Sequence, residues 1–175
     1  VDSVSILRQQ LKDAHGILEG TMQDVTSEQA HWSPPGIANP LGASYAHLVL
    51  SEDGIINGML KKGAPLAATA WAGKVGISEP PPQNPADPWN QWARRVQVDL
   101  SALRQYAQAV YAASDEYLAS LKVEDLNQPL DLSAFGLGEQ TVGWMLNNAV
   151  VGHVSNHCGE VSCLKGLQGV KGYPF

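Results

Sequence analysis

The chain has 175 residues, enough for one ordinary domain with a buried core. Hydrophobic residues make up 44% and charged residues 16%, which argues for a folded globule and against a disordered chain. The net charge of −6 and the lack of a basic cluster set nucleic acid and anionic membrane aside as partners.

Residues Val1 to Arg8 carry no signal-peptide apolar run, and no stretch nears the roughly 20 apolar residues of a spanning helix. The first predicted helix runs from Ser3 to about Val25. Ile6 or Leu7, Leu11, Ala14, Ile17 or Leu18, and Met22 or Val25 keep a helical period along it. His15 has no acidic or histidine neighbour at i±4 and is read as a surface or packing residue. Thr26 then caps a short turn, which Ser33-Pro34-Pro35-Gly36 closes. His31 stands at that closure with nothing nearby to pair with.

Pro40 opens a second helix, expected from Leu41 to Lys62 with Gly63 as its stop. His47 lies beside its apolar stripe. The residues around His47 on the helix (Ala43, Ser51, Gly54 and Gly58) are all small, which suggests either close packing or an open pocket. Ala64 to Asp87 is rich in Pro, Ala and Gly and too long for an ordinary connection, so it is read as a crossover between helices two and three. The third helical region runs from Pro88 to Leu121, bent near Val98-Asp99. Trp89 and Trp92 share one face of it and plug one end of the core. Lys122 to Gln140 is a turn-rich link, with no strand alternation of useful length.

The last helix, from Thr141 to about Leu167, carries the chemistry. Val142, Met145, Leu146, Ala149, Val150, Val161 and Leu164 form its apolar stripe, and His153 and His157 fall within or beside it. Their i,i+4 spacing stacks two imidazoles on one face about 6 Å apart along the axis, where they can share one divalent ion. Glu160 follows three residues later on nearly the same face. It suits a base, a group that orients a histidine, or a plain surface ion pair. Cys158 and Cys163 lie five apart, about 500° around the helix, so they do not pair with each other. Two unpaired thiols fit a reducing cytoplasm, and Cys158 is read as core filler.

Four helices with one long crossover describe an all-α, four-helix bundle filling a single domain, residues 1–175. Bundles of this kind place metal between facing helices. His47, His153 and His157 together make a three-histidine ligand set for zinc, nickel or iron that leaves room for substrate.

The chain resembles the DinB-like (YfiT-like) superfamily of bacterial metal-binding bundles. The likeness is carried by His47 in Ala46-His47-Leu48, by Gly152-His153-x-x-x-His157-x-Gly159-Glu160, and by the close Lys165-Gly166-Leu167-Gln168-Gly169-Val170-Lys171-Gly172-Tyr173-Pro174-Phe175. The resemblance implies an up-down-down-up bundle, a homodimer, and His47, His153 and His157 on a divalent metal. It also implies a small-molecule substrate and activation of a low-molecular-weight thiol (bacillithiol, mycothiol or glutathione) for S-transfer or isomerisation of a small electrophile. Two alternatives stand beside it: a metal- or ligand-binding stress protein without catalysis, and a metal-dependent hydrolase. Gly166, Gly169 and Gly172 are expected to stop the last helix and let the Tyr173-Pro174-Phe175 tail fold back on the bundle.

Overall fold

The computed structural model describes residues 1–82 and 89–175. Helix α1 spans Ser3–Met22 and is opened by Asp2, whose carboxylate accepts the Ser5 N–H at 2.8 Å. The helix stops at Met22, short of the expected Val25. Its final carbonyls are taken by cations from other parts of the chain: Lys165 Nζ donates to the Thr21 carbonyl at 2.7 Å, and Arg104 donates to that of Met22. Positive charge at a helix C-terminus also complements the macrodipole. Helix α2, Ser27–His31, starts in the cap that the sequence suggests, and the cap is reciprocal. Thr26 Oγ1 accepts the Gln29 N–H, and Gln29 Oε1 accepts the Thr26 N–H.

Helix α3, Leu41–Asp53, runs on through a π-helical stretch, Gly54–Leu60, to the stop at Lys62 and Gly63, with Lys62 itself at φ 53°. The change of winding begins right after Asp53, which is fully buried. Its carboxylate accepts hydrogen bonds from Asn57 Nδ2, from the Tyr106 hydroxyl at 2.5 Å, and from the backbone N–H groups of Leu66 and Ala67. A buried carboxylate is tolerated only when it is so satisfied, and here it also pins the start of the crossover. Residues 83–87 of the crossover, and Pro88 as the expected start of the third helix, lie outside the described residues.

The third helical region is two helices: α4, Trp89–Arg95, and α5, Leu100–Ser120. The expected bend is a complete break. Val98 bridges to Ile77 in the crossover, and Asp99 then caps α5 by accepting the Ser101 and Ala102 N–H groups. Gly76 makes this crossing possible, because at its φ of 89° a Cβ would lie 2.6 Å from the Leu103 nitrogen. The following link contains a small antiparallel hairpin, β1 Pro129–Asp131 against β2 Glu139–Thr141, paired Pro129↔Thr141, Leu130↔Gln140 and Asp131↔Glu139. Strands of three residues are too short for alternation to show in the sequence. Gly136 and Gly138, both at positive φ, turn the chain between them.

The final helix is continuous in three parts: α6 Val142–Trp144, a π-helical Met145–Gly152, and α7 His153–Leu167. Beyond it the tail does return to the bundle. A Cβ on Gly172 would meet Ser162 Oγ at 2.2 Å, and Pro174 lies against Gly20. Among the described residues no helix is long and apolar enough to cross a membrane. Cys158 is buried and Cys163 exposed, with no disulfide between them.

α1 packs against α5 and α7, and α3 packs against the same two. The core has two clusters. One joins Leu18 and Met22 late in α1 with Tyr45 and Leu48 early in α3, Leu103 and Tyr106 early in α5, and Val161 and Leu164 late in α7. The other joins Val4 and Leu7 of α1 with Ile56, Leu118, Val142 and Leu146. Each fully buried leucine contributes about 1.5–3 kcal/mol.

Candidate metal centre

Histidines 47, 153 and 157 converge where α3 faces the start of α7. Their ring centroids lie 4.9, 5.2 and 4.6 Å apart, and the rings stand nearly edge-on to one another. One nitrogen of each lies within 4.8 Å of the others, and among the described residues this is the group of ligating side chains close enough to share an ion. The π-helical turn that ends at Gly152 sets the rotation at which His153 enters this cluster. Such turns recur at functional sites.

His47 Nε2 and His153 Nε2 face each other at 3.1 Å. Two nitrogens about 2.05 Å from one ion and this far apart subtend about 100° at it, between tetrahedral and octahedral angles.

The far nitrogens are held from behind. Glu160 Oε2 lies 2.6 Å from His157 Nδ1, and Ser51 Oγ lies 3.3 Å from His47 Nδ1. With Nδ1–H donating outward in both rings, each Nε2 lone pair points inward, the tautomer a metal ligand needs. Burial pushes the His47 imidazole down to about 4, and the neighbouring His153 and His157 push the same way. His153 is lowered too, by burial first and then by His157, against the carboxylates of Glu160 and Glu52. Both rings are therefore neutral, and able to ligate, at neutral pH. All three histidines are partly exposed, so the site is open to small solutes.

The small residues around His47 divide between the two readings: a Cβ on Gly54 would meet nothing within 4 Å, whereas one on Gly58 would make ordinary contact with Pro65. Trp89 and Trp92 stay together at 4.6 Å but divide their tasks. Trp92 is buried and plugs the core, while Trp89 lies edge-on to His47 at 4.8 Å and walls the site. Spacing alone could not separate these roles.

His31 is no ligand. Its Nδ1–H donates within α2 to the Ser27 carbonyl at 2.7 Å, and its Nε2 accepts the Val98 N–H at 2.8 Å, which ties α2 to the segment before α5. His15 is neither on the surface nor simply packed. It is buried, its Nε2 lies 2.8 Å from Glu52 Oε2, and its ring stacks on Tyr111 at 3.7 Å. The Ser114 hydroxyl donates to the other Glu52 oxygen at 2.6 Å. The sequence holds no sign of this pair, because its members are 37 residues apart on different helices.

A family model, that of the DinB superfamily, matches residues 10–161. The crystal structure of a conserved protein from Enterococcus faecalis is similar to this chain with a TM-score of 0.81 and 20% identity, over 97% of this chain and 99% of the other. At that identity the likeness is one of fold. No curated protein matches the chain.

Proposed function

The chain belongs to the DinB superfamily, and on that premise we propose that it is a metal-dependent enzyme built on His47, His153 and His157, acting on a small electrophile with a low-molecular-weight thiol. The observation that carries this reading is the 3.1 Å approach of His47 Nε2 to His153 Nε2. Two imidazole lone pairs repel at that distance unless a proton or a cation lies between them, and the anchoring of His157 by Glu160 adds a third.

A divalent ion in this donor set supplies Lewis acidity, which favours the thiolate form of a small thiol at neutral pH. The protein's own residues prepare the place. Glu160 and Ser51 fix the tautomers of His157 and His47, and Trp89 offers an apolar wall that sheds water beside them. In this reading Glu160 is a positioning residue rather than a proton carrier, since its carboxylate engages the ring of His157. The way helix ends meet in the two core clusters supports an up-down-down-up four-helix bundle. A homodimer in the cytoplasm completes the proposal, the first implied by family resemblance and the second supported by the two unpaired cysteines.

Metal content of protein purified without added metal, followed by turnover of halogenated and maleyl compounds with bacillithiol, mycothiol and glutathione, tests the reading. Stoichiometric metal and thiol-dependent turnover that vanish in His157→Ala support it. Metal-loaded protein inactive with every thiol overturns it. A non-catalytic metal-binding role is the second reading, and one observation favours it: among the described residues, the cavities of about 760 and 490 Å³ are lined by residues other than the three histidines.

A further inference from the structure

The larger cavity opens between α1 and α5, away from the three histidines, and has a volume of about 760 Å³. Its charged and polar lining includes Arg8, Lys12, His15, Glu19, Tyr111 and Asp115. Arg8 and Asp115 face each other across it in a bidentate pair, so the guanidinium is already committed. His15, Glu19 and Tyr111 form the polar floor.

Two polar atoms on that floor are left open. When the neutral His15 ring donates Nε2–H to Glu52, whose other oxygen accepts from Ser114, the carboxylate orients the ring and leaves Nδ1 as an acceptor for the cavity. Glu19 Oε1 accepts both the Tyr45 hydroxyl at 2.7 Å and the Tyr111 hydroxyl at 2.8 Å, while its Oε2 carries no hydrogen bond among the described residues. Among those residues the one buried side-chain polar atom without a partner is Asn39 Oδ1. His15 Nδ1 and Glu19 Oε2 therefore keep accessible surface, though His15 is only 8% exposed. They stand at i,i+4 on one face of α1, about one turn apart.

We propose that this cavity is a second ligand site, independent of the metal centre, which binds a small organic cation through its ammonium group. A primary ammonium carries N–H donors and no acceptor, and so matches a floor that offers two acceptors, one of them a carboxylate. The Glu52 carboxylate beneath His15 adds to the negative potential there, so that an anion would meet Glu19 and Glu52 at the floor, and Lys12 is the one lining cation outside the Arg8–Asp115 pair. The apolar wall, with Leu11 and Leu118, takes the carbon portion of the ligand.

The test is an NMR titration of the full chain with benzylamine, benzyl alcohol and benzoate, which share a ring and differ in charge. Benzylamine is expected to give saturable shifts at Gly16 and at the His15 ring nitrogens, with the alcohol and benzoate far weaker. Glu19→Gln keeps an oxygen for the two tyrosine hydroxyls and removes the charge. It should weaken benzylamine about ten- to a hundred-fold with the circular dichroism unchanged. His47→Ala should leave the titration as it is. Absence of saturation, equal response to benzoate, an unaffected Glu19→Gln, or loss of binding in His47→Ala would each overturn the proposal.

Discussion

Removing the Glu160 carboxylate should loosen the metal without abolishing it. The group makes a 2.6 Å hydrogen bond to His157 Nδ1, with the His157 side chain 24% exposed and that of Glu160 59% exposed. A hydrogen bond to a charged partner is worth about 1.5–3 kcal/mol when sheltered, and exposure of the carboxylate places this one at or below the low end. About 1.4 kcal/mol is tenfold in affinity, which also matches the lower bound for partners that orient metal-binding histidines. Glu160→Ala is therefore expected to weaken zinc or cobalt about tenfold. Glu160→Gln, which keeps an acceptor but loses the charge, should weaken it about threefold. His157→Ala deletes a ligand and should cost far more than either. Competition against a chromophoric chelator at pH 7 measures all three. Wild-type affinity in Glu160→Ala would make the contact a plain surface ion pair, and a loss as complete as that of His157→Ala would make Glu160 a ligand. Either result refutes the orienting role.

Asp53→Ala should cost about 3–5 kcal/mol, seen as a lower urea midpoint at constant slope, because four donors lose a buried carboxylate at once; a cost under about 1 kcal/mol would show that the crossover holds itself. The metal-free protein should lose stability as pH falls from 6.5 toward about 4, since His47 then takes a proton more readily unfolded than folded. Thermal melts should show this, and the slope should flatten in His47→Gln. Arg8→Ala removes an exposed ion pair and should leave the urea midpoint almost where it is, whereas Trp92→Ala in the core should cost about 3–5 kcal/mol. Iodoacetamide should label Cys163 in the native protein and reach Cys158 only on unfolding, because Cys158 is buried and burial also pushes its thiol up. Two labels on the folded chain would contradict the packing around α7.

What the sequence disclosed follows the range of its interactions. His153 and His157, Glu160 behind them, the Thr26 cap and the glycines after Leu167 all act within a few residues, and each is where local spacing puts it. His47 was legible as a small-flanked histidine, but its meeting with His153 across 106 residues is a product of the fold. The pairing of His15 with Glu52 had no local counterpart at all, and helical periodicity says nothing of which helix will lie opposite. The same limit hid the two roles of Trp89 and Trp92, which depend on how α4 lies against α3. The π-helical turns escaped for another reason. A stretch of seven or eight residues is too short for its wider period to be told from that of an ordinary helix.

The wider winding of Met145–Gly152 makes the last helix a shaft in two keyed sections. Upstream, Leu146 and Val150 are seated in one core cluster; downstream, Val154 and Cys158 are seated in the other, with the imidazoles turned outward to face α3. Wound at ordinary pitch, the same residues would swing everything beyond by about 100° for each extra residue the wide turns hold. Either the apolar seam or the histidines would then face the wrong way. The winding of this stretch is thus bound to the chemistry, whereas the hairpin tip around Gly136 can lengthen or shorten and leave the three rings where they are.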